Sequence, residues 1–215
     1  MTNRHAAFAA AMAITLSVTA RAQSPLTAYQ TLGRDVLREL IETNTTYANG
    51  STTKAAEALA ARFRAAGFAA ADIQIVGPDT GRDAKDRNLV VRYRGSGRRK
   101  PVLLIGHLDV VEARRADWVL DPFTLTERDG HFYGRGTLDM KNGAASWVAA
   151  LLRMKQEGIV PAGDYVLALT AGRKAAADIM VSSGCSRIGA ICSTWSTCSI
   201  PMRAAASSAT ASRSR

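Results

Sequence analysis

The chain has 215 residues and a formal net charge of +10, from 28 Lys and Arg against 18 Asp and Glu. That length suits one ordinary domain with a sizeable core. Half of the excess charge lies from Gly172 onward, where six basic residues face the single acid Asp178; the rest is spread thinly, with no Lys/Arg run interleaved with aromatics, which argues against a nucleic-acid partner.

The N-terminus reads as a signal peptide over residues 1–22. Arg4 gives a positive start, Ala6 to Ala20 form a short apolar run, and Ala20-Arg21-Ala22 is a small-x-small cleavage site before Gln23. The expectation is export to the periplasm or beyond, with no stable membrane insertion after cleavage. An uncleaved anchor helix is the alternative.

In the mature chain, Leu26 to Thr45 has helical spacing, with Leu32, Val36, Leu37, Leu40 and Ile41 on one face. Asn49-Gly50 interrupts it. Ser51-Thr52 caps a second helix, Thr53 to Ala66, which Gly67 ends. Ala71 to Val76 alternates like a strand, and Gly77 to Asp86 is a polar loop. Asn88 to Tyr93 and Pro101 to Leu104 read as strands around the turn Gly95-Ser96-Gly97. The unbroken apolar run Val102 to Ile105 predicts a strand covered on both faces. Thr124 to Tyr133 reads as a hairpin turning at Asp129-Gly130. A third helix, Gly143 to Gln156, is expected to turn Trp147, Ala150, Leu151 and Met154 inward, and Gly158 stops it. Tyr165 to Leu169 is a further buried strand. Alternation of helix and strand predicts the α/β class, a largely buried sheet flanked by helices.

Two motifs carry chemistry. Gly106-His107-Leu108-Asp109 follows an apolar strand, and Gly134-Arg135-Gly136-Thr137-Leu138-Asp139-Met140-Lys141-Asn142-Gly143 precedes a helix. Ligands of open α/β sheets gather at the carboxyl ends of strands, where His107 would lie. Imidazole and carboxylate are good zinc ligands, and a second carboxylate can hold the outer ring proton of a ligating histidine. The glycine-rich turn could equally cradle an anion.

Taken in order, Gly106-His107-Leu108-Asp109-Val110-Val111, Trp118, Asp121-Pro122-Phe123, Asp129-Gly130, Tyr133-Gly134-Arg135-Gly136 and Asp139-Met140-Lys141 resemble the ArgE/DapE, aminoacylase and glutamate carboxypeptidase family of dizinc hydrolases. The resemblance runs from about Leu32 to Ala171 and includes Leu40-Ile41-Glu42 with Asn44-Thr45-Thr46. It implies a zinc-exopeptidase α/β fold and two Zn2+ ions that activate one water against the amide bond of a peptide or N-acyl amino acid. It implies that His107 ligates one metal, that Asp139 bridges both, and that Asp109 acts catalytically by orienting His107. Arg135 would brace the Trp118–Phe123 loop, and His131 would be an exposed turn residue.

The pattern breaks at Ala171. Where the family places an acidic cluster that supplies the general base and a further ligand, this chain reads Gly172-Arg173-Lys174. Cations there would repel metals and cannot serve as base. Residues 172–215 are Ser-rich and hold all three cysteines, Cys185, Cys192 and Cys198, whose spacing matches no metal motif. A shifted reading frame would explain such a tail better than divergence, although one indel alone does not account for all of it: Gly172-Arg173, if encoded as GGA CGA, becomes Asp-Glu when the first base is dropped. The expectation is a catalytic domain carried only in its N-terminal part, 23–171, with a non-homologous disordered tail. The family's lid or dimerisation domain would be absent and turnover lost. A non-catalytic remnant, or an anion-binding protein using Gly134 to Gly143, are the other readings.

Overall fold

The computed structural model describes residues 25–77 and 82–172. The predicted signal peptide and nearly all of the predicted tail lie outside the described residues.

Helix α1 spans Ala28–Glu42. Thr27 opens it with a reciprocal cap, its Oγ1 accepting from Gln30 N–H while Gln30 Oε1 accepts from Thr27 N–H. Val36, Leu37, Leu40 and Ile41 form its buried face, as the spacing predicts. The helix ends three residues before the expected Thr45. Thr43 is extended, and its hydroxyl donates back to Glu39 O at 2.8 Å, closing the last turn. Helix α2, Thr52–Ala65, starts from an Ser51 cap whose Oγ accepts from Lys54 N–H.

Strands β1 (Ile73–Val76), β2 (Asn88–Tyr93), β3 (Val102–His107) and β6 (Tyr165–Thr170) form one sheet in the order β1-β2-β6-β3. The β1–β2 and β2–β6 pairs are antiparallel and β3–β6 is parallel, so the α/β sheet is mixed. Strands β4 (Thr126–Arg128) and β5 (His131–Tyr133) make a separate hairpin. Its Asp129 and Gly130 both have positive φ, 53° and 74°, the conformation that a two-residue Asp-Gly turn supplies. Helix α3 spans Lys141–Gln156.

The main core lies between one sheet face and the helices. Leu89 and Val91 of β2 and Leu167 and Leu169 of β6 meet Leu40, Leu59, Phe63, Val148 and Leu151 there. Val90 and Val166, pointing the other way by strand alternation, form a smaller cluster with Val76 and Leu103. Two expectations are corrected. The doubly covered strand is β6, central in the sheet and buried from Val166 to Thr170, whereas β3 is an edge strand among the described residues and leaves Val102 exposed. In α3 the buried face is Ala144, Ala145, Val148, Leu151 and Leu152; Trp147 and Met154 flank it and Ala150 is exposed. The helix is wedged between α1 and β3, and Ala150 falls on the side away from both. Among the described residues no helix is long and apolar enough to cross a membrane.

Candidate functional site

Strand β3 delivers His107 to the carboxyl end of the sheet, beside Thr170 of β6. Two hydrogen bonds fix that end: Leu108 N–H donates to Thr170 O at 2.8 Å, and the Thr170 hydroxyl Oγ1 donates to Gly106 O at 3.2 Å. Gly106 is closely packed. A Cβ there would stand 2.7 Å from Met140 Cε and 3.0 Å from the Trp147 ring, so a larger residue would push the Met140 and Trp147 side chains away from β3.

The structure brings the three predicted site residues together. His107 Nε2 lies 3.2 Å from Asp139 Oδ1. On its other side, Nδ1 makes its hydrogen bond with the backbone O of Asp109 at 3.1 Å; Asp109 Oδ1 lies equally near, at 3.1 Å, but makes no hydrogen bond among the described residues. Acceptors face both ring nitrogens; a neutral ring with its proton on Nδ1 would turn the Nε2 lone pair toward Asp139. A lone pair facing a carboxylate oxygen is unfavourable unless a cation or proton lies between them. The imidazole is mostly buried, with 12% of its side chain exposed, while Asp139 is 57% exposed and open to ligand.

Metal–ligand bonds of about 2.0–2.2 Å at a tetrahedral angle put neighbouring donor atoms about 3.3–3.5 Å apart. The His107–Asp139 spacing fits one edge of such a shell, and Asp109 fits the outer position behind the histidine. The fit stops there. Among the described residues, no set of three or more His, Cys, Asp or Glu converges to hold a metal ion. Gly172, where the acidic cluster was expected to begin, stands beside the pair: a Cβ built on it would lie 3.7 Å from Asp109 Oδ2. The strand arrives at the right place without a carboxylate.

Sequence reasoning assigned no part to Lys141. Its side chain is fully buried, and Nζ donates to Leu40 O at 2.6 Å and Thr43 O at 3.0 Å, the exposed carbonyl end of α1. Burial pushes its pKa down to about 7, against the opposing pull of the Asp109 charge. A lysine in the first turn of a helix runs against the helix dipole, and that was the available signal. Its amine is thereby committed to the carbonyl end of α1.

The Asn44-Thr45-Thr46 segment continues the same connection. Thr45 Oγ1 donates to Leu108 O at 2.7 Å, Val110 N–H donates to Thr45 O at 3.2 Å, and Thr46 bridges to Val110. Lys141 therefore links the Asp139 turn to the end of α1, and the following threonines link that end to the Asp109 loop. Gly136, at φ +92°, lets the turn pass between Val110 and the Lys141 stem. Arg135 does brace its loop: the guanidinium lies 4.8 Å over the Trp118 ring, and the Arg135 backbone N–H donates to Pro122 O at 2.7 Å. His131 is exposed at the hairpin turn.

Residues 103–172 match the profile of the family described as Peptidase family M20/M25/M40. Succinyl-diaminopimelate desuccinylase of Delftia acidovorans is 42% identical over 116 residues, which cover 53% of this chain and 29% of that protein. A protein of Staphylococcus aureus described as a probable succinyl-diaminopimelate desuccinylase is 48% identical over 82 residues, 37% of this chain and 20% of that one. The chain thus spans between a fifth and a third of the length of these relatives. Human carnosine dipeptidase 1 superposes with a TM-score of 0.56 at 18% identity, covering 77% of this chain and 40% of that one. The M20 family metallo-carboxypeptidase Sso-CP2 of Sulfolobus solfataricus gives 0.52 at 16% identity, covering 65% and 30%. At those identities the two structures speak to the fold alone, and they bear out the α/β expectation. The family resemblance read from the motifs is borne out over this part of the chain.

Proposed function

We propose that this chain, which over residues 103–172 carries the Peptidase family M20/M25/M40 match, is the metal-proximal part of an exported, zinc-dependent amide hydrolase, and that as it stands it holds an incomplete metal site and does not turn over. The observation that carries the reading is the His107 ring set between two carboxylates, Asp139 on Nε2 and Asp109 behind Nδ1. The similarity to succinyl-diaminopimelate desuccinylases supports amide hydrolysis as the chemistry, with a peptide or N-acyl amino acid as the substrate class.

Zinc, when bound in such a site, acidifies a water and polarises the amide carbonyl. The chain's own residues would do three things. His107 and Asp139 would hold the ion, Asp109 would keep the histidine proton on Nδ1, and the Lys141–Thr45 connection would keep both carboxylate loops in register. The general base has no counterpart here, because Gly172-Arg173-Lys174 replaces the expected acids. Two donors also fall short of the three that catalytic zinc sites commonly use.

The test is zinc content by elemental analysis, paired with hydrolysis of a dipeptide and N-succinyl amino acid panel by the full chain. The expected result is less than one zinc per chain, lowered further by His107→Ala, and no metal-dependent hydrolysis. Two zincs with metal-dependent turnover would refute the incomplete site. Zinc content unchanged in both His107→Ala and Asp139→Asn would refute the metal reading itself.

A further inference from the structure

The opposite end of the sheet carries a second, unassigned concentration of charge. Between β2 and β3 the chain turns through Gly95–Lys100, and a cleft of about 610 Å3 opens there. Arg92, Arg94, Arg98, Arg99 and Lys100 line it, with Asp164 as the one acid. Arg92 is answered by Asp164 at 2.5 Å, and Arg94 by Asp72 at 2.8 Å. Arg98 Nε donates to Ser96 Oγ at 3.1 Å. Among the described residues, Arg98, Arg99 and Lys100 meet no carboxylate within ion-pair distance, and all three are exposed.

The backbone under these cations is fixed. Gly95 N–H donates to Asp164 Oδ1 at 2.8 Å, Ser96 N–H to Pro161 O at 2.8 Å, and Arg99 N–H to Ala162 O at 2.9 Å. Gly95 and Gly163 press so closely that a Cβ on Gly95 would lie 2.4 Å from the Gly163 carbonyl, and one on Gly163 would lie 2.5 Å from Lys100 O. Three cations without a carboxylate partner among the described residues therefore stand on a turn whose ordering entropy is already lost in folding, and they repel one another across a few residues. An anion carrying two or more charges relieves that repulsion. Guanidinium forks fit phosphate oxygens bidentately, and a neighbouring ammonium adds a point charge.

We infer that the Arg92–Lys100 cleft is a binding site for a multivalent oxyanion of the phosphate-ester class. Among the described residues no aromatic side chain lines it to stack a base, and single-stranded nucleic acid is a poor fit. The site is separate from the His107 end: β3 runs from Val102 at the cleft to His107, a distance of about 17 Å at strand rise. The inference is therefore independent of the metal reading. The phosphate could be free in solution or belong to a lipid headgroup.

The experiment uses the full chain with two probes, pyrophosphate by titration calorimetry and vesicles of phosphatidylglycerol by flotation, with phosphatidylcholine vesicles as the blank. Saturable binding is expected, weakened at least tenfold by Arg98→Ser/Arg99→Ser/Lys100→Ser and less by Arg98→Lys/Arg99→Lys, which keeps the charge but loses the forks. Arg173→Ser/Lys174→Ser, which removes cations beyond the described fold, should leave it unchanged. Binding should also weaken as salt rises from 0.05 to about 0.5 M, as screening requires. Pyrophosphate binding without flotation supports the site with a soluble phosphate as its source. Flotation that the triple variant loses supports it with lipid as the source. Absence of saturable binding by either probe overturns the inference. So does a triple variant that binds like the parent, or binding lost through Arg173→Ser/Lys174→Ser.

Discussion

Replacing Lys141 by Met exposes a balance of two large terms whose sum changes with pH. In the parent, the buried ammonium serves Leu40 O and Thr43 O. Met keeps most of the stem volume but leaves two carbonyls without their donor, a loss of about 2 kcal/mol each. Against this stands the cost of burying the amine, whose pKa falls from 10.5 to about 7 because burial disfavours the charged form. Between those values the unfolded chain binds a proton that the folded chain has released, so parental stability rises with pH. The cost is about 4 kcal/mol at pH 7 and falls to about 2 kcal/mol at pH 9. Lys141→Met should thus be within about 1 kcal/mol of the parent at pH 7, and about 2 kcal/mol less stable at pH 9. Urea unfolding followed by circular dichroism at both pH values reads the difference, provided the denaturant slope is unchanged. Other titrating groups cancel in the comparison. Parallel stability curves for parent and variant, or a variant that gains on the parent as pH rises, would show that the amine is not held desolvated between α1 and α3.

Two further substitutions probe the frame around the site. Gly136→Ala places a Cβ 2.8 Å from Val110 Cγ1 on a backbone at φ +92°, and should cost about 3 kcal/mol in the same unfolding assay, from left-handed strain plus overpacking; a change under about 0.5 kcal/mol would mean that the turn does not pass so close to the Asp109 loop. Phe63→Ala removes a fully buried ring whose centroid lies 4.9 Å from that of Phe68, and should cost about 3–5 kcal/mol while zinc bound per folded molecule stays at the parental value. A loss of zinc in the still-folded variant would show that the α2 core reaches the site.

Much of the site was legible because its signals are local or ordered along the chain. His107 and Asp109 share one short motif at a strand end, and Asp139 sits in a glycine-rich turn before a helix, so strand and helix placement brought them together. Lys141 was not legible in the same way. Its role depends on the carbonyls of Leu40 and Thr43, about a hundred positions earlier, and no pattern within a helical window reports such a partner. The phosphate-class cleft was hidden for a related reason. Arg98-Arg99-Lys100 is visible as a basic turn, but Arg92 joins it only through strand geometry, and the pinning by residues 161–164 comes from β6's approach to β3.

By itself the sequence determined the α/β class, the cap of the second helix at Ser51, the Asp129-Gly130 turn and the candidate trio His107, Asp109 and Asp139. Each of these rests on side chains that act on their own backbone within a few residues, or on motif order. Only the tertiary structure decided that β3 lies at the sheet edge with Val102 exposed, that Ala150 faces out, that α1 stops at Glu42, and that Gly172 arrives beside Asp109. Those outcomes depend on which element packs against which. An apolar run or a helical stripe fixes that something must be buried, but the neighbour that buries it is chosen by contacts between residues far apart in the chain.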